Sequence, residues 1–195
     1  MERSLLVGER HDDGRQAVHG SDPRPPAAGS PRGIMSIEDD KALVRRYFAA
    51  VAAHDLDALA ALMHPRLRFR CAGGTGFEDS VVFDSPKALV DDIRVNVGRL
   101  YDPAVGIRPE ILGLTAESGR VAAEVRIRGR SAVTGLDYDN LYVFLFWIED
   151  GLFTRIHENL DTAYAMKVLL GPAGVEQGRY MDWLEGQEPG AAKNR

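Results

Sequence analysis

The sequence predicts an α+β domain, and three observations carry that prediction. Apolar residues recur at helical spacing through much of residues 37–100. From about residue 105 the period shortens to that of strands. Glycine-containing turn signals then join two of the strand pairs tightly, as antiparallel neighbours. Helices first and a run of antiparallel strands afterwards is the α+β pattern.

Each element has its own local warrant. Ser36 followed by Asp39 is a capping signal, and Val44, Tyr47, Phe48 and Val51 follow at helical spacing, so a helix is predicted over 37–54. Asp55 restarts a short helix bearing Leu56, Leu59, Leu62 and Met63, which His64-Pro65 is expected to stop. Leu67, Phe69 and Cys71 alternate with Arg66, Arg68 and Arg70, giving a first strand that ends at Gly73-Gly74-Thr75-Gly76. That glycine run is no phosphate loop, because no Gly-Lys-Ser/Thr follows it. Ser85-Pro86 opens a third helix, predicted to run to about Leu100. Strands are predicted over 105–116, 120–131, 138–149 and 152–160, with turns at Glu117-Ser118-Gly119 and Glu149-Asp150-Gly151. A closing helix runs from an Asp161 cap to about Leu170.

The flanks differ in composition. Residues 1–35 hold four prolines and balanced charges, with only Leu5, Leu6 and Val7 clustered, and read as a disordered tail. Met35, directly before the first ordered pattern, is a candidate start. Residues 171–195 form a polar C-terminal tail, interrupted by Tyr180, Met181, Trp183 and Leu184.

Bulk properties narrow the function classes. The 195 residues suffice for one domain with a proper core, and a charged fraction of 27% is ordinary. The net charge of −5 argues against a nucleic-acid or anionic-membrane partner. Cys71 is the only cysteine, so neither a disulfide framework nor a cysteine metal cluster can form. The five histidines lack metal-ligand spacing and no cofactor motif is present, so no metal and no cofactor are expected. No apolar run reaches the roughly 18 residues of a membrane span, and the expected compartment is the cytoplasm.

Two strands show how the sheet is used. Between 121 and 130, Val125 and Ile127 face one side while Glu124, Arg126, Arg128 and Arg130 face the other. Residues 141–148, Leu-Tyr-Val-Phe-Leu-Phe-Trp-Ile, are apolar on both sides. One side can cover the helices; the other needs a second cover, and a homodimer through the outer sheet face is expected. The last strand contains the anomaly that bears on function. Alternation places Thr154, Ile156, Glu158 and Leu160 on its apolar side, so a carboxylate points toward the interior. Such a group is paired, protonated or functional. Glu158 is therefore either a pocket acid-base or a carboxylate that is held by a structural arginine or exposed at the strand end.

Other side chains are candidates on weaker grounds. Asn140, Tyr142 and Phe144 share one face of the neighbouring strand, and Tyr47 points from the first helix. Phe69 and Cys71 face inward from the first strand, where a buried cysteine is usually an inert small hydrophobe. All six also serve as core or strand-end residues. His157 lies on the face opposite Glu158 and reads as a surface or interface residue. His54 and His64 are read as helix ends, favourable positions for histidine.

The order of elements and the C-terminal segment carry a resemblance. Tyr138-Asp139-Asn140-Leu141-Tyr142, Phe144, Phe146, Glu149-Asp150-Gly151 and His157-Glu158-Asn159-Leu160-Asp161-Thr162, with Tyr47-Phe48 and His54-Asp55-Leu56-Asp57 upstream, resemble the nuclear transport factor 2-like superfamily. The SnoaL-like polyketide cyclase and ketosteroid isomerase-related branch is the nearest in pattern, over residues 36–170. The resemblance implies a conical barrel: N-terminal helices packed in a strongly curved, mainly antiparallel sheet that encloses an apolar pocket. Independently of the resemblance, Tyr180–Leu184 in the 171–195 tail is a candidate lid over such a pocket, a point the sequence leaves open. Epoxide hydrolases of the group have a catalytic aspartate at the position of Glu158. Their Arg-x-Asp pair falls on Val125 and Ile127, and their water-holding tyrosine and asparagine fall on Phe69 and Cys71. The isomerases' general base also falls on Cys71.

Together these readings lead to a cofactor-free enzyme that moves a proton through Glu158. Cyclisation, isomerisation or dehydration of a hydrophobic polyketide- or terpene-like compound is expected. Tyr142, Asn140, Tyr47, Phe69, Cys71 and Phe144 are its expected substrate contacts. A non-catalytic small-molecule binder and a protein-interaction module are the alternatives.

Overall fold

The structure is a computed structural model that describes residues 36–72 and 81–172. The expected tail over 1–35, with Met35, lies outside the described residues, as do Gly73–Gly76 and the lid candidate Tyr180–Leu184.

Helix α1 (Ile37–Ala53) starts with a reciprocal capping box, in which Ser36 Oγ accepts from the Asp39 amide and the Asp39 carboxylate accepts from the Ser36 amide, both at 3.1 Å. It buries Leu43, Val44, Tyr47, Phe48 and Ala50 and leaves Arg45 and Arg46 exposed. His54 closes it in the left-handed conformation (φ 52°). Asp55 then caps α2 (Leu56–Ala61) through the Ala58 amide at 2.9 Å.

The next junction differs from the expectation. Met63 does not end α2; it opens β1 (Met63–Cys71) and pairs with Phe153. His64 and Pro65 lie inside this strand, where the pairing register breaks between Met63 and Arg68. A proline, lacking an N–H, is tolerated at such an irregularity. His64 is thus no helix end, and its ring Nδ1 accepts from the Arg66 amide at 3.0 Å. The sequence reading also lacks β2 (Val81–Phe83), a three-residue edge strand on β1 that is too short to show alternation.

Ser85 caps α3 (Pro86–Asp92) as predicted. The helix reaches Leu100, but it widens to a π-helical turn over Ile93–Val97 before a last turn, α4 (Gly98–Leu100). Strands β3 (Arg108–Glu117), β4 (Arg120–Arg130), β5 (Asp137–Glu149) and β6 (Leu152–Leu160) follow. The β5–β6 turn places both Asp150 and Gly151 at positive φ (50° and 76°), the geometry that an Asp-Gly hairpin favours. Asp161 caps α5 (Thr162–Ala165), which continues as a π-helical turn over Met166–Leu170. Two carbonyls of that turn accept from Ser131 Oγ (2.9 Å) and Thr134 Oγ1 (2.6 Å), tying it to the β4–β5 connection.

The sheet runs β2-β1-β6-β5-β4-β3, is curved, and does not close on itself. Only β1 and β6 are parallel; the other neighbours are antiparallel. The fold is therefore α+β with N-terminal helices and a mainly antiparallel curved sheet. Its inner face buries Val121, Ala123, Val125 and Ile127 from β4 and Tyr142, Phe144, Phe146 and Ile148 from β5. Tyr47 and Phe48 meet them edge-on, with Tyr47–Phe146 centroids 5.4 Å apart and Phe48–Phe144 5.1 Å apart. In β6 the simple alternation needs one correction. Trp147 pairs with Arg155 but Ile148 pairs with Phe153, so Thr154 is the extra residue of a bulge. Phe153 rather than Thr154 enters the core, while Ile156, Glu158 and Leu160 keep the predicted side.

Asp40, 1% exposed, accepts from the Gly119 amide at 3.0 Å and so pins α1 to the β3–β4 turn. Replacing it with alanine orphans a part-buried amide and is expected to cost about 1–3 kcal/mol, measured by urea denaturation. Asp40→Asn keeps an acceptor oxygen and is expected to cost less.

Candidate functional site

A cavity of about 180 Å³ lies beside the second half of α1. Helix α1 supplies Tyr47, Phe48, Ala50 and Val51, while Leu43 and Val44 pack directly on the sheet away from it. The inner faces of β1, β4, β5 and β6 contribute Phe69 and Cys71, Ile127, Tyr142 and Phe144, and Glu158 and Leu160. Leu89, Asp92, Ile93 and Val97 close it from the α3 segment, and Ala165, Met166 and Leu169 from the C-terminal helix.

Strand pairing fixes the position of Glu158. It is in register with Cys71 on one side and Phe144 on the other, so a thiol and a phenyl ring flank its carboxylate. As a wall residue it stays partly accessible, yet its surroundings exclude bulk water. That desolvation raises its pKa from 4.5 to about 7; the charge of Asp92 adds to the rise and a hydrogen bond from the Cys71 thiol opposes it. Among the described residues no arginine or lysine lines the cavity, so the structural-arginine alternative for Glu158 is set aside.

The carboxylate perturbs its neighbours in turn. Burial, then the Glu158 charge, pushes the Tyr47 phenol up and the Cys71 thiol well above its ordinary value, so both stay protonated near neutrality. Cys71 is a donor here and has the wrong charge state for a nucleophile. Tyr142 is also raised by burial, and its hydroxyl lies 2.6 Å from that of Tyr138. Asn140 is the one expected contact absent from the wall. Its amide donates to Tyr138 Oη (2.9 Å) and to the Asp161 carbonyl (3.0 Å). It therefore braces Tyr138, which in turn braces Tyr142. Either hydroxyl of the Tyr138–Tyr142 pair can donate to the other.

The histidines divide as their strands dictate. His157 lies on the outer face, its ring 4.8 Å from that of Trp147, and desolvation followed by Arg70 and Arg155 holds its pKa below the usual value. His54, the α1 cap, reaches the cavity rim. Among the described residues no group of three or more His, Cys, Asp or Glu gathers as a metal site.

Asp92 is the site residue that the sequence reading missed. It sits three residues after Leu89 and immediately before Ile93, on a stripe of cavity-lining apolar positions, whereas its neighbour Asp91 pairs outside with Lys87 and Arg94. The same anomaly that singles out Glu158, an acid on an apolar face, marks Asp92 as well. The π turn that starts at Ile93 directly after it is an irregularity often found at functional sites.

Comparison with known proteins agrees with this architecture. A family model described as a SnoaL-like domain matches residues 44–156. Among solved structures, the chain is similar to an NTF2-like protein of unknown function from Burkholderia pseudomallei, with 18% identity, a TM-score of 0.58, and coverage of 69% of this chain and 98% of that one. It is similar to an LEH-like epoxide hydrolase of M. tuberculosis, with 19% identity, a TM-score of 0.54, and coverage of 72% and 97%. It is similar to TerC co-crystallised with polyporic acid, with 15% identity, a TM-score of 0.59, and coverage of 68% and 98%. Likenesses at these identities carry the fold alone. No curated protein matches the sequence. Among the described residues, no helix is long and apolar enough to cross a membrane.

A pH dependence follows from Glu158. Its pKa is about 7 in the folded chain and near its ordinary 4.5 when unfolded, so between these values the folded protein binds the extra proton. The stabilising contribution is complete below the lower value and is lost as pH rises through the upper one. The expected loss is about 3 kcal/mol, measured by urea denaturation from about pH 4 to about pH 8. Glu158→Gln should flatten the slope in that window; an unchanged slope would assign it to another group.

Proposed function

The chain belongs to the SnoaL-like domain family, and from that premise we propose that it is a small-molecule enzyme using Glu158 to move a proton. The observation that carries this reading is a carboxyl with a pKa of about 7 on the wall of an apolar cavity. A group that titrates near neutrality can both take and return a proton during one turnover. Tyr142 and Tyr47 are the proposed hydrogen-bond donors to the substrate, with Phe69, Cys71 and Phe144 as packing contacts. Asn140 is proposed to act at one remove, by holding the tyrosine pair. The chemistry that suits this set is cyclisation, isomerisation or dehydration. The substrate is proposed to be a hydrophobic polyketide- or terpene-like compound. Cavities of about 150 Å³ hold a benzene ring, so the reacting portion is one ring or a short branched chain.

Proton transfer can be observed before the natural substrate is known. With β-tetralone as an enolisable probe in heavy water, the protein should accelerate deuterium incorporation beside the carbonyl, followed by NMR. Glu158→Gln preserves shape and should lower that acceleration at least about 100-fold while leaving probe binding intact. Equal exchange by the variant would overturn the role of Glu158. One observation favours a second reading. Val125, Ile127, Phe69 and Cys71 stand where the epoxide hydrolases carry their polar set, so Glu158 has fewer polar neighbours than in those enzymes. On that reading the pocket binds without turnover, and the wild-type protein shows binding but no exchange.

The proposed assembly is a homodimer through the outer sheet face. Leu141, Val143 and Leu145 on β5 support it, forming an exposed apolar strip at 49%, 43% and 36% accessibility. Native mass spectrometry should show a dimer that Val143→Lys converts to monomer; a monomeric wild-type protein would remove this element.

A further inference from the structure

The outer face of the sheet concentrates cations toward one end. Strand pairing aligns Arg120, Trp147, Arg155 and Arg68 in a single row across β4, β5, β6 and β1. In the next outward row His157 and Arg70 are paired, with Arg70 3.5 Å from the His157 ring. Like charges on directly paired positions repel. Elsewhere on this face the repulsion is relieved, since Arg126, Arg128 and Arg130 each bond a carboxylate. Arg68 and Arg155 differ: among the described residues neither has an ion pair. Asp84, just past β2, pairs with neither of them, and Glu117, the acid that ends the row on β3, lies beyond Arg120.

Between these side chains is a pocket of about 150 Å³, lined by Arg68, Phe69, Arg70, Val82, Arg155 and His157. No acid lines it among the described residues. Its positive field acts on His157, whose pKa is held down by desolvation and then by the charges of Arg70 and Arg155. The Arg155 guanidinium lies over the Trp147 ring, 5.2 Å from its centroid, a contact that uses none of its N–H donors. Arg70 has a further interaction of its own, so Arg68 and Arg155 are the donors with forks to offer. We propose that this pocket binds the terminal phosphate of a small organic phosphomonoester, gripped by Arg68 and Arg155. Two planar guanidinium forks match a phosphate dianion in charge and donor geometry, whereas a carboxylate would balance only one of them. Val82, 49% exposed on the edge strand, offers apolar surface to the organic part. The net charge of −5 selects against a long polyanion, while a small ligand meets only the local field. The site is on the opposite face of the sheet from Glu158 and is independent of the proton-transfer reading.

Phenyl phosphate is the probe, followed by protein NMR at about 0.15 M salt, where charges more than about 8 Å apart are screened. The His157 ring signals and the amides of residues 68 and 155 should shift together, with a Kd below about 1 mM. Benzyl alcohol, which keeps a ring and lacks the charge, should not move them. Arg155→Gln and Arg68→Gln should each weaken binding at least about fivefold, with amide signals away from β1 and β6 unchanged. Arg126→Gln, at an arginine already paired with Asp139, should leave the affinity as it is. No response up to about 10 mM phenyl phosphate overturns the proposal. An equal loss in Arg126→Gln also overturns it, by assigning the binding to diffuse surface charge. Sedimentation with phosphatidic acid vesicles, without a response to phenyl phosphate, overturns it in favour of a lipid headgroup.

Discussion

The contact between α1 and the inner face of β5 and β6 is the constraint on which the rest of the molecule depends. Tyr47 and Phe48 reach the rings of Phe144, Phe146 and Phe153 within 4–7 Å of centroid separation, a range in which aromatic edges and faces attract. Over the first half of α1, Leu43 and Val44 complete a solid core. Over the second half the helix and the sheet no longer touch throughout, and the space between them is the cavity. Asp40 fixes one end of this lever by holding the β3–β4 turn. Tyr47 and Phe48 stand at the boundary, packed on the rings of the sheet and lining the cavity as well.

The sheet keeps two chemistries apart. Its outer face carries arginines neutralised by partners on adjacent strands, as in the two-pronged Arg126–Asp139 pair. Pairs this exposed contribute little stability each. They lie on the solvent side of the sheet, and among the described residues no lysine or arginine lines the cavity beside Glu158. Its raised pKa therefore reflects what the strands exclude as much as what they bring near.

Much of this was legible in the sequence, because strand alternation is a strict rule wherever the ladder is regular. It placed Glu158, Tyr142, Phe144, Phe69 and Cys71 on the inner face, where all five line the cavity. It failed where the ladder breaks. The bulge at Thr154 exchanged that residue for Phe153, and the irregularity after Met63 hid the start of β1 behind a proline. Asn140 shows a different limit. Parity gave the correct face, but β5 extends beyond the cavity, and Asn140 lies past its end among Tyr138 and Asp161. Asp92 was legible and missed, because a helix with two adjacent acids suggests a solvated face until the stripe from Leu89 to Val97 is traced through one of them.

The parallel pairing of β1 with β6 has a bearing on how the site comes into being. Facing residues on these strands, such as Arg70 and His157, are separated by 87 positions in the chain. Most other neighbours in the sheet are hairpin partners, whose loops close at small entropic cost. The Cys71–Glu158 register is among the costliest contacts to form, since it requires the two ends of the sheet-forming sequence to meet. A nascent chain that has emerged only as far as Glu149 can fold its hairpins, but it has no Glu158 and no strand to seat one. The acid and the strand that seats it arrive together, only once β6 has been made, so a product truncated before β6 lacks both.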